Sequence, residues 1–345
     1  MKETSELLSP RVQAFQRNDS LETLLEDLNA LLSSAQQQML CRFTAECESP
    51  PVVLVFGAGR TGSTLFMQWL AATGLFAYPS NLLSRFYRAP LVGAKIQRLL
   101  TDPEYAFRDE LFDLAAPNEY RSANGKTRGA LAPNEFWYFW RRFLPYEALD
   151  FLPNEQLLPA LLESAFVEEL LGLARFYEKP FAMKAMIMNQ NIPVLDKLFE
   201  RAVFVWLRRQ PEYNIQSLLE ARRRQYGRID QWYSFKIREY PELSNLPPLR
   251  SVAGQIYHIN ESISAGLASL PEEKKLIVDY EDFCERPLHY FGALAGRLKA
   301  QGYKGRLAYG GPEQFKHTNT WKLNEYSYEE AKCAYQEFLN HQESL

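Results

Sequence analysis

The sequence predicts an α/β protein built on a doubly wound parallel sheet. Short, wholly apolar runs alternate along the chain with segments of helical periodicity, and the clearest of these runs are Val52–Phe56 and Ala202–Leu207. Continuous apolarity, unlike strict alternation, indicates strands that are buried on both faces, as in parallel sheets covered by helices. Residues 52–72 read as strand, glycine-rich loop and helix, which is the unit from which such sheets are built.

Length and composition fit this fold class. The chain has 345 residues, of which 46% are hydrophobic and 23% charged, so it carries enough apolar material for a sizeable core. Its 39 basic and 42 acidic residues give a net charge of −3, whereas proteins that bind nucleic acid through a general electrostatic footprint are clearly basic. We therefore expect no nucleic-acid partner, and any anion to be bound locally.

The sequence shows no pattern typical of a membrane or secreted protein. Its longest apolar runs are far shorter than the roughly 20 residues that a membrane span needs, and the N-terminus lacks the apolar stretch of a secretion signal. The four cysteines form neither a C-x-x-C pair nor a zinc-ligand spacing. These observations predict a cytoplasmic protein with free thiols.

The other elements follow in order along the chain. Residues 1–48 are polar with leucines at helical spacing, and they predict an N-terminal extension of one or two amphipathic helices beginning near Ser20. Residues 77–178 separate the first two strands, and we expect this largely helical insertion to form the substrate side of a main domain over residues 49–345. The predicted strands are Val52–Phe56, Phe181–Ile187, Ala202–Leu207 and Leu276–Asp279, and the predicted helices of the main domain are Ser63–Ala72, Val194–Glu200, Pro211–Arg224 and Pro287–Leu298.

The loop between the first strand and its helix is the clearest functional signal. It reads Gly57-Ala58-Gly59-Arg60-Thr61-Gly62-Ser63-Thr64. Backbone amides and the N-terminus of the following helix converge at such a loop, and glycines let an anion approach the backbone closely. The sequence therefore predicts that this loop binds a phosphate or a similar anion.

One interpretation of the loop is dinucleotide binding. Gly57, Gly59 and Gly62 match the G-x-G-x-x-G fingerprint of such proteins. The fingerprint also expects an acidic residue about 20 positions further on, to hold the ribose hydroxyl. Residues 51–101 contain no Asp or Glu, so this interpretation is weak.

A second interpretation is a P-loop that binds a nucleoside triphosphate. Gly57 and Gly62 have the required spacing, and Thr64 stands where a magnesium-binding hydroxyl belongs. Ser63 replaces the lysine that neutralises the phosphates, which argues against a kinase or an NTPase. Asp279, at the end of a predicted strand, could supply the acid of such a site, so an ATP-dependent phosphotransferase stays open.

A third interpretation places the positive charge inside the loop, at Arg60. The run from Arg60 to Leu65 reads R-T-G-S-T-L and resembles the 5′-phosphosulfate loop of the PAPS-dependent sulfotransferases, usually R/K-S-G-T-T-L/W, in a bacterial-type branch of that family. PAPS is 3′-phosphoadenosine 5′-phosphosulfate. The resemblance implies a P-loop NTPase-like sulfotransferase fold. It also implies a cofactor loop that consists of Gly57, Gly59, Arg60, Thr61, Gly62, Ser63, Thr64 and Leu65.

A second motif with the same resemblance lies downstream. After the strand Ala202–Leu207 the chain reads R-R-Q-P, and Ser217 follows Arg209 by eight residues. In the sulfotransferase family a strand followed by R-x-P and a serine clasps the 3′-phosphate of the cofactor. A guanidinium at the carboxyl end of a strand, together with a hydroxyl, suits a phosphate in the crevice of an open sheet. Arg209 fits this spacing better than Arg208 does.

The resemblance reaches further towards the C-terminus. The Y-E-D-F run over residues 280–283, with Pro287, resembles a late structural landmark of the family. Asn319, Trp321 and Lys322 loosely resemble the family's cofactor-closing loop. Together the resemblance covers about residues 52–70 and 181–323, and it does not extend to residues 1–48.

The resemblance also implies which residues carry the chemistry. Sulfuryl transfer needs a base for the acceptor hydroxyl and cations for the departing phosphate. Arg60 and Lys184 are the predicted cations, but the histidine that family members place shortly after this lysine is absent. Glu135, beside an aromatic block, is the predicted base, and His317 is the alternative.

These implications define the expected partners. PAPS would be the co-substrate and PAP, its desulfated form, the product, without any metal. The acceptor would be a small molecule, a glycan or a lipid, and the choice between a monomer and a homodimer is left open. Because the usual histidine is missing, a non-catalytic nucleotide-binding protein also stays open.

Overall fold

A four-stranded, entirely parallel sheet forms the centre of the molecule, in the strand order β2-β1-β3-β4. The structure is a computed structural model that describes residues 11–43, 48–105, 108, 111, 114, 120 and 127–342. The strands are β1 (Val52–Phe56), β2 (Phe181–Lys184), β3 (Ala202–Arg208) and β4 (Lys275–Asp279).

Helices cover both faces of the sheet and account for most of the remaining described residues. Short 3₁₀ turns occur between them, including one at Met186–Met188 directly after β2. The α-helices are α1 (Asp19–Leu31), α2 (Ser33–Phe43), α3 (Ser63–Ala72), α4 (Pro90–Thr101), α5 (Trp137–Phe143), α6 (Asn154–Leu162), α7 (Phe166–Tyr177), α8 (Ile192–Leu198), α9 (Pro211–Tyr226), α10 (Tyr240–Leu243), α11 (Pro248–Ala268), α12 (Tyr280–Glu285), α13 (Pro287–Ala300) and α14 (Tyr328–Gln342).

The core lies on the two sides of the sheet. Along β1, Val52, Leu54 and Phe56 belong to one apolar cluster, while Val53 and Val55 belong to another on the opposite face. All five side chains are buried, which explains why this strand is apolar throughout rather than alternating. The doubly wound α/β fold predicted from the sequence is confirmed.

The parallel sheet brings the ends of three strands to one edge. β1 runs into the glycine loop, β2 ends at Lys184, and β3 ends at Arg208. In the sheet register, Val55 pairs with Lys184 and Phe56 with Trp206, so these ends are close neighbours. In open α/β sheets, ligands bind in the crevice at this carboxyl edge.

Some element boundaries differ from the sequence prediction. β2 ends at Lys184 rather than Ile187, because the chain turns into the 3₁₀ helix Met186–Met188, whose side chains pack into the core. The cap of the first helix is Asn18, two residues before Ser20, and its side chain accepts a hydrogen bond from the Leu21 amide at 3.0 Å.

The N-terminal helices pack against helices of the insertion. Asn29 of α1 is fully buried; its side chain donates to the carbonyl of Arg85 and accepts from the amide of Arg88, both at 2.8 Å. α2 lies against α4 and α7, and the Gln36 side chain accepts from the Leu91 amide at 3.1 Å. Over the described residues, no helix has the length and apolarity that a membrane crossing requires.

Candidate functional site

The backbone of the glycine loop adopts conformations that other residues reach only with strain. Gly62, just before α3, has a φ of +89°, and Arg60 has a φ of +70°. A Cβ on Gly62 would lie 2.4 Å from the ring of Tyr280, and one on Gly59 would lie 2.9 Å from the Leu218 side chain. Glycine is therefore required at residue 62 by both conformation and close packing.

The other loop residues surround this turn. Gly57 is buried, and a Cβ there would lie 2.7 Å from the carbonyl oxygen of Leu207. Thr61 is buried, and its hydroxyl donates to the Ala58 carbonyl at 3.1 Å. Residues 63–65 form the first turn of α3, with Ser63 buried and the next two half-buried. The positive end of α3 thus points at the loop, as an anion site requires.

The end of β3 places Arg209, and not Arg208, at the glycine loop. The Arg209 guanidinium donates to the carbonyl of Arg60 at 3.0 Å and to Oδ1 of Asn319 at 3.0 and 2.6 Å. Arg208 instead forms a bidentate ion pair with Asp279, both hydrogen bonds being 2.8 Å long. Asp279, the acid considered for a nucleoside-triphosphate site, is therefore paired with the Arg208 guanidinium.

Burial keeps the Arg209 guanidinium poorly solvated. Burial lowers the pKa of Arg209, although the group stays charged because an arginine does not lose its proton in proteins. Its Cζ atom lies 4.9 Å from the ring centroid of Tyr280, and Asn319 links it to Glu281, since the Asn319 amide donates to that carboxylate at 2.6 Å. A desolvated cation without a direct carboxylate bond is well suited to an anionic ligand.

Ser217 lies on α9, in contact with the same loop. Nε of Arg60 donates to the Ser217 hydroxyl at 3.1 Å. α9 begins at Pro211, whose fixed φ suits the first helical turn, and the helix runs back beneath the loop. The residues predicted to bind the 5′-phosphosulfate and those predicted to bind the 3′-phosphate are about 150 residues apart in sequence. In the structure they contact each other at Arg60.

A second group of side chains lies on the other side of the loop. Nζ of Lys184, the last residue of β2, donates to the Thr64 hydroxyl at 2.9 Å and to Oε1 of Glu135 at 3.0 Å. The indole of Trp137 donates to Oε2 of Glu135 at 2.5 Å. The structure thus brings Glu135 and Lys184 together beside the first turn of α3.

The environment keeps the Glu135 carboxylate ionised. Burial alone would raise the pKa of Glu135, but the Lys184 ammonium, the Trp137 indole and the more distant Arg60 together lower it below its usual value. Lys184 is only 6% exposed, whereas the Glu135 side chain is 35% exposed.

Apolar side chains surround this carboxylate–ammonium pair. A small pocket is lined by Glu135, Lys184, Trp137, Trp140, Met186 and Ile187. Its walls include two indoles, and the one from Trp140 donates to the Lys184 carbonyl at 3.0 Å. The aromatic block therefore forms part of the core and also borders the carboxylate.

His317, the alternative base, lies on the irregular segment between α13 and α14. It is exposed on the C-terminal segment, while that segment's Asn319 contacts Arg209. The role of this segment as a cofactor-closing loop stays a prediction. Among the residues that the structure describes, no group of three or more His, Cys, Asp or Glu side chains is arranged to hold a metal ion.

Sequence reasoning missed the side chains that support the loop from outside. Asn189 hydrogen-bonds both polar backbone groups of Gly57, and Asn214 donates to the Gly59 carbonyl at 3.0 Å. Each is 1% exposed. Their only sequence signal is a polar residue within an otherwise apolar neighbourhood, and nothing in that signal tells which distant backbone group it contacts.

Comparisons with known proteins concern the family and the fold. Residues 51–301 match the model of the family described as "Sulfotransferase family". The fold is similar to that of the sulfotransferase STF9 from Mycobacterium avium, with a TM-score of 0.51 and 14% identity over 90% of this chain and 81% of that one. The sulfotransferase STF1 from Mycobacterium tuberculosis H37Rv has a TM-score of 0.49 and 13% identity, over 88% and 81% of the two chains. No curated protein sequence matches the chain.

Proposed function

The chain belongs to the sulfotransferase family, and we propose that it moves a sulfuryl group from PAPS to a hydroxyl, or an amine, of an acceptor. The observation that carries the proposal is the meeting of three elements at one point. Arg209 from the end of β3 and Ser217 from α9 both contact Arg60 of the glycine loop, at 3.0 and 3.1 Å. A nucleotide that carries a 5′-phosphosulfate and a 3′-phosphate fits two such neighbouring binding sites.

The two ends of PAPS would be held by different chemistry. The 5′-phosphosulfate would lie on the amides of residues 57–65 and the N-terminus of α3. The 3′-phosphate would be bound by the guanidinium of Arg209 and the hydroxyl of Ser217. In the free protein Arg60 and Arg209 bond to Ser217, Asn319 and a loop carbonyl, and these groups would exchange partners when the nucleotide enters.

The transfer step would be an in-line displacement at sulfur. The acceptor oxygen forms a bond to sulfur, the bond between sulfur and the bridging 5′-phosphate oxygen breaks, and that electron pair leaves with PAP. Glu135 takes the acceptor proton, and Arg60 and Lys184 stabilise the charge that develops on PAP. Lys184 suits this role because its ammonium contacts both Thr64 in the loop and the base. These steps require no metal.

The pocket beside Glu135 favours a neutral acceptor with an apolar body. Among the described residues that line it, Trp137, Trp140, Met186 and Ile187 supply apolar walls, and the charged groups are those of the Glu135–Lys184 pair. An anionic acceptor would approach a carboxylate and lose affinity. The cavity itself, of about 10 Å³, has room for little more than the acceptor hydroxyl, so the body of a planar or aliphatic small molecule, or of a lipid, would lie outside it.

Calorimetry of nucleotide binding tests the donor assignment. We expect wild type to bind PAP at least tenfold more tightly than AMP, which lacks the 3′-phosphate, with and without EDTA. Arg209→Ala should remove most of this preference, because a charge-assisted phosphate contact contributes about 1.5 to 3 kcal/mol. Arg208→Ala is the matched control, since Arg208 pairs with Asp279 and should leave the preference intact.

Two results would overturn the assignment. Wild type without a preference for PAP would remove the 3′-phosphate site. A nucleotide affinity that depends on magnesium would instead favour an ATP-dependent phosphotransferase.

A further inference from the structure

The carbonyl oxygens of the glycine loop accept hydrogen bonds from side chains, three of which come from outside the loop. Four successive carbonyls each accept a side-chain hydrogen bond. The pairs are Gly57 with Asn189 at 2.9 Å, Ala58 with Thr61 at 3.1 Å, Gly59 with Asn214 at 3.0 Å and Arg60 with Arg209 at 3.0 Å. A loop that presents its amides to an anion must satisfy its carbonyls elsewhere, since buried backbone groups are rarely left unpaired.

The backbone N–H groups of the same loop differ from its carbonyl groups in their hydrogen bonding. In the described part of the chain, the backbone amides of residues 59, 60 and 62 make no hydrogen bond to a protein acceptor. Amides of this kind are the groups that would bind an anion. The side chains that occupy the carbonyls therefore determine where the amides point.

We propose that Asn189 is a positioning residue for the 5′-phosphosulfate, acting through the backbone of Gly57. Its side chain donates to the Gly57 carbonyl at 2.9 Å and accepts from the Gly57 amide at 3.2 Å. Both groups belong to the residue at which β1 ends and the loop begins, so they set the direction in which the loop leaves the sheet. The inference rests on the proposed function, because it concerns the same donor site.

Few side chains other than an amide can make this contact. Gly57 is buried and offers one donor and one acceptor to a neighbour that is itself 1% exposed. An amide side chain carries a donor and an acceptor side by side, whereas a carboxylate lacks the donor and an aliphatic side chain lacks both. Without Asn189 the amide and the carbonyl of Gly57 both lose a hydrogen-bond partner, which costs free energy because both are buried. We expect the loop to reorient so that these groups find other partners.

Asn189 also links the loop to the candidate transfer site. It directly follows the 3₁₀ helix Met186–Met188, and it is five residues beyond Lys184. The same short segment thus supplies the ammonium next to Thr64 and the amide that holds Gly57. The proposed 3′-phosphate site, by contrast, consists of Arg209, directly after β3, and Ser217 on α9, and among the described contacts neither side chain bonds to Asn189.

Because Asn189 contacts the loop of the 5′ site and not the side chains of the 3′ site, ligands that carry only one of the two phosphates can separate a positioning role from a general loss of stability. Titration calorimetry would compare wild type with Asn189→Ala, using PAP, AMP and 3′-AMP as the three ligands. We expect the affinity for PAP and AMP, which carry a 5′-phosphate, to fall about tenfold or more, the effect of leaving one buried polar group unpaired. The affinity for 3′-AMP should change less than twofold.

Asn191→Ala is the matched control. Asn191 lies two residues further on and is also 1% exposed, but its amide donates to the Leu152 carbonyl and to Asn154, both at 2.8 Å. It should leave the affinity for all three ligands unchanged. If Asn189→Ala does not fold, as judged by circular dichroism, the milder Asn189→Ser replaces it in the same comparison.

The outcomes separate the inference from the function on which it rests. If wild type binds PAP and Asn189→Ala binds all three ligands normally, the inference is wrong and the donor assignment stands. An equal loss for 3′-AMP and AMP would also refute it, because it would show a purely structural role. If wild type does not bind PAP, the proposed function itself fails.

Discussion

A single ammonium connects the two halves of the candidate active site. Lys184 contacts Thr64, in the first turn of the anion loop's helix, and Glu135, the carboxylate nearest to the apolar pocket. Because Lys184 is buried, its charge is weakly screened and acts on both neighbours. In the proposed mechanism, protonation of Glu135 would weaken its ion pair with Lys184, and the ammonium would then become available to the leaving phosphate.

A variant that lacks the Glu135 carboxylate tests the proposed general base. Glu135→Gln should reduce sulfuryl transfer at least 100-fold, the usual contribution of a general base, while the PAP affinity stays within about threefold of wild type. The rate would be followed as PAP released from PAPS, with 2-naphthol as a planar apolar acceptor. Glu163→Gln, on an exposed residue of the insertion, is the control and should retain full activity.

The lowered pKa of Glu135 also fixes the sign of the pH dependence. Its pKa lies below the ordinary glutamate value of about 4.3, so the base should stay ionised as the pH falls from 7 to 5 and the rate should not decline on its account. The stability that this carboxylate contributes is present above about pH 4.3 and is lost as the pH falls through the lowered pKa. An acidic limb centred above pH 6 would contradict Glu135 as the base.

At the scale of elements, a buried ion pair joins the helices of the insertion. Arg142 of α5 donates to both oxygens of Glu169 on α7, at 2.7 and 3.2 Å, and to the carbonyl of Tyr87 at 2.5 Å. The Glu169 side chain is 2% exposed and also accepts from Gln36 of α2 at 3.3 Å. Burial raises the pKa of Glu169, although Arg142 opposes the shift.

Removing the cation of this pair should therefore be costly. Arg142→Met leaves a buried carboxylate without its partner, and we expect a loss of about 3 to 5 kcal/mol in the free energy of unfolding by urea. Arg141→Ala is the control, because Arg141 is half exposed in its pair with Asp150 and should cost under about 1 kcal/mol.

The pH dependence of this loss has a definite sign. In Arg142→Met the pKa of Glu169 rises further above its unfolded value, so the destabilisation is largest at neutral pH. It should shrink as the pH falls and the carboxyl takes up a proton. A difference from wild type that does not change between pH 8 and pH 5 would show that the cost does not come from the carboxylate.

At the scale of the whole molecule, distant parts of the chain converge on the sheet. Asn29 and Gln36 join the N-terminal helices to the insertion, and the Gln216 side chain of α9 donates to the Thr320 carbonyl in the C-terminal segment at 2.9 Å. The division into an extension over residues 1–48 and a domain over residues 49–345 stays a prediction. These contacts nevertheless argue that the described parts unfold together.

Ligand binding should therefore stabilise the chain as one unit. PAP at 100 times its dissociation constant should add about 2.7 kcal/mol, which raises the midpoint of a single thermal transition. EDTA should not change the shift, and Arg209→Ala should greatly reduce it at the same PAP concentration. Two transitions of which PAP moves only one would show instead that the extension or the insertion unfolds separately.

Local patterns in the sequence were sufficient for the fold and the family. Apolar runs, a glycine loop and the spacing from Arg209 to Ser217 depend on residues that are neighbours in the chain, so strand, loop and helix could be predicted there, and the parallel sheet and the family match confirm the result. The roles of the individual site residues stay predictions. Their positions at one edge of the sheet follow from a rule for parallel strands rather than from any contact visible in sequence.

Tertiary structure alone decided which side chains meet. No spacing rule relates Glu135 to Lys184, 49 residues away, or Asn189 to Gly57, 132 residues away. These contacts depend on how the insertion folds over the sheet and where β2 gives way to a 3₁₀ turn. The energy of a buried polar group is set by the partner it finds in space, and a partner brought in by a long connection leaves no periodic trace in the sequence.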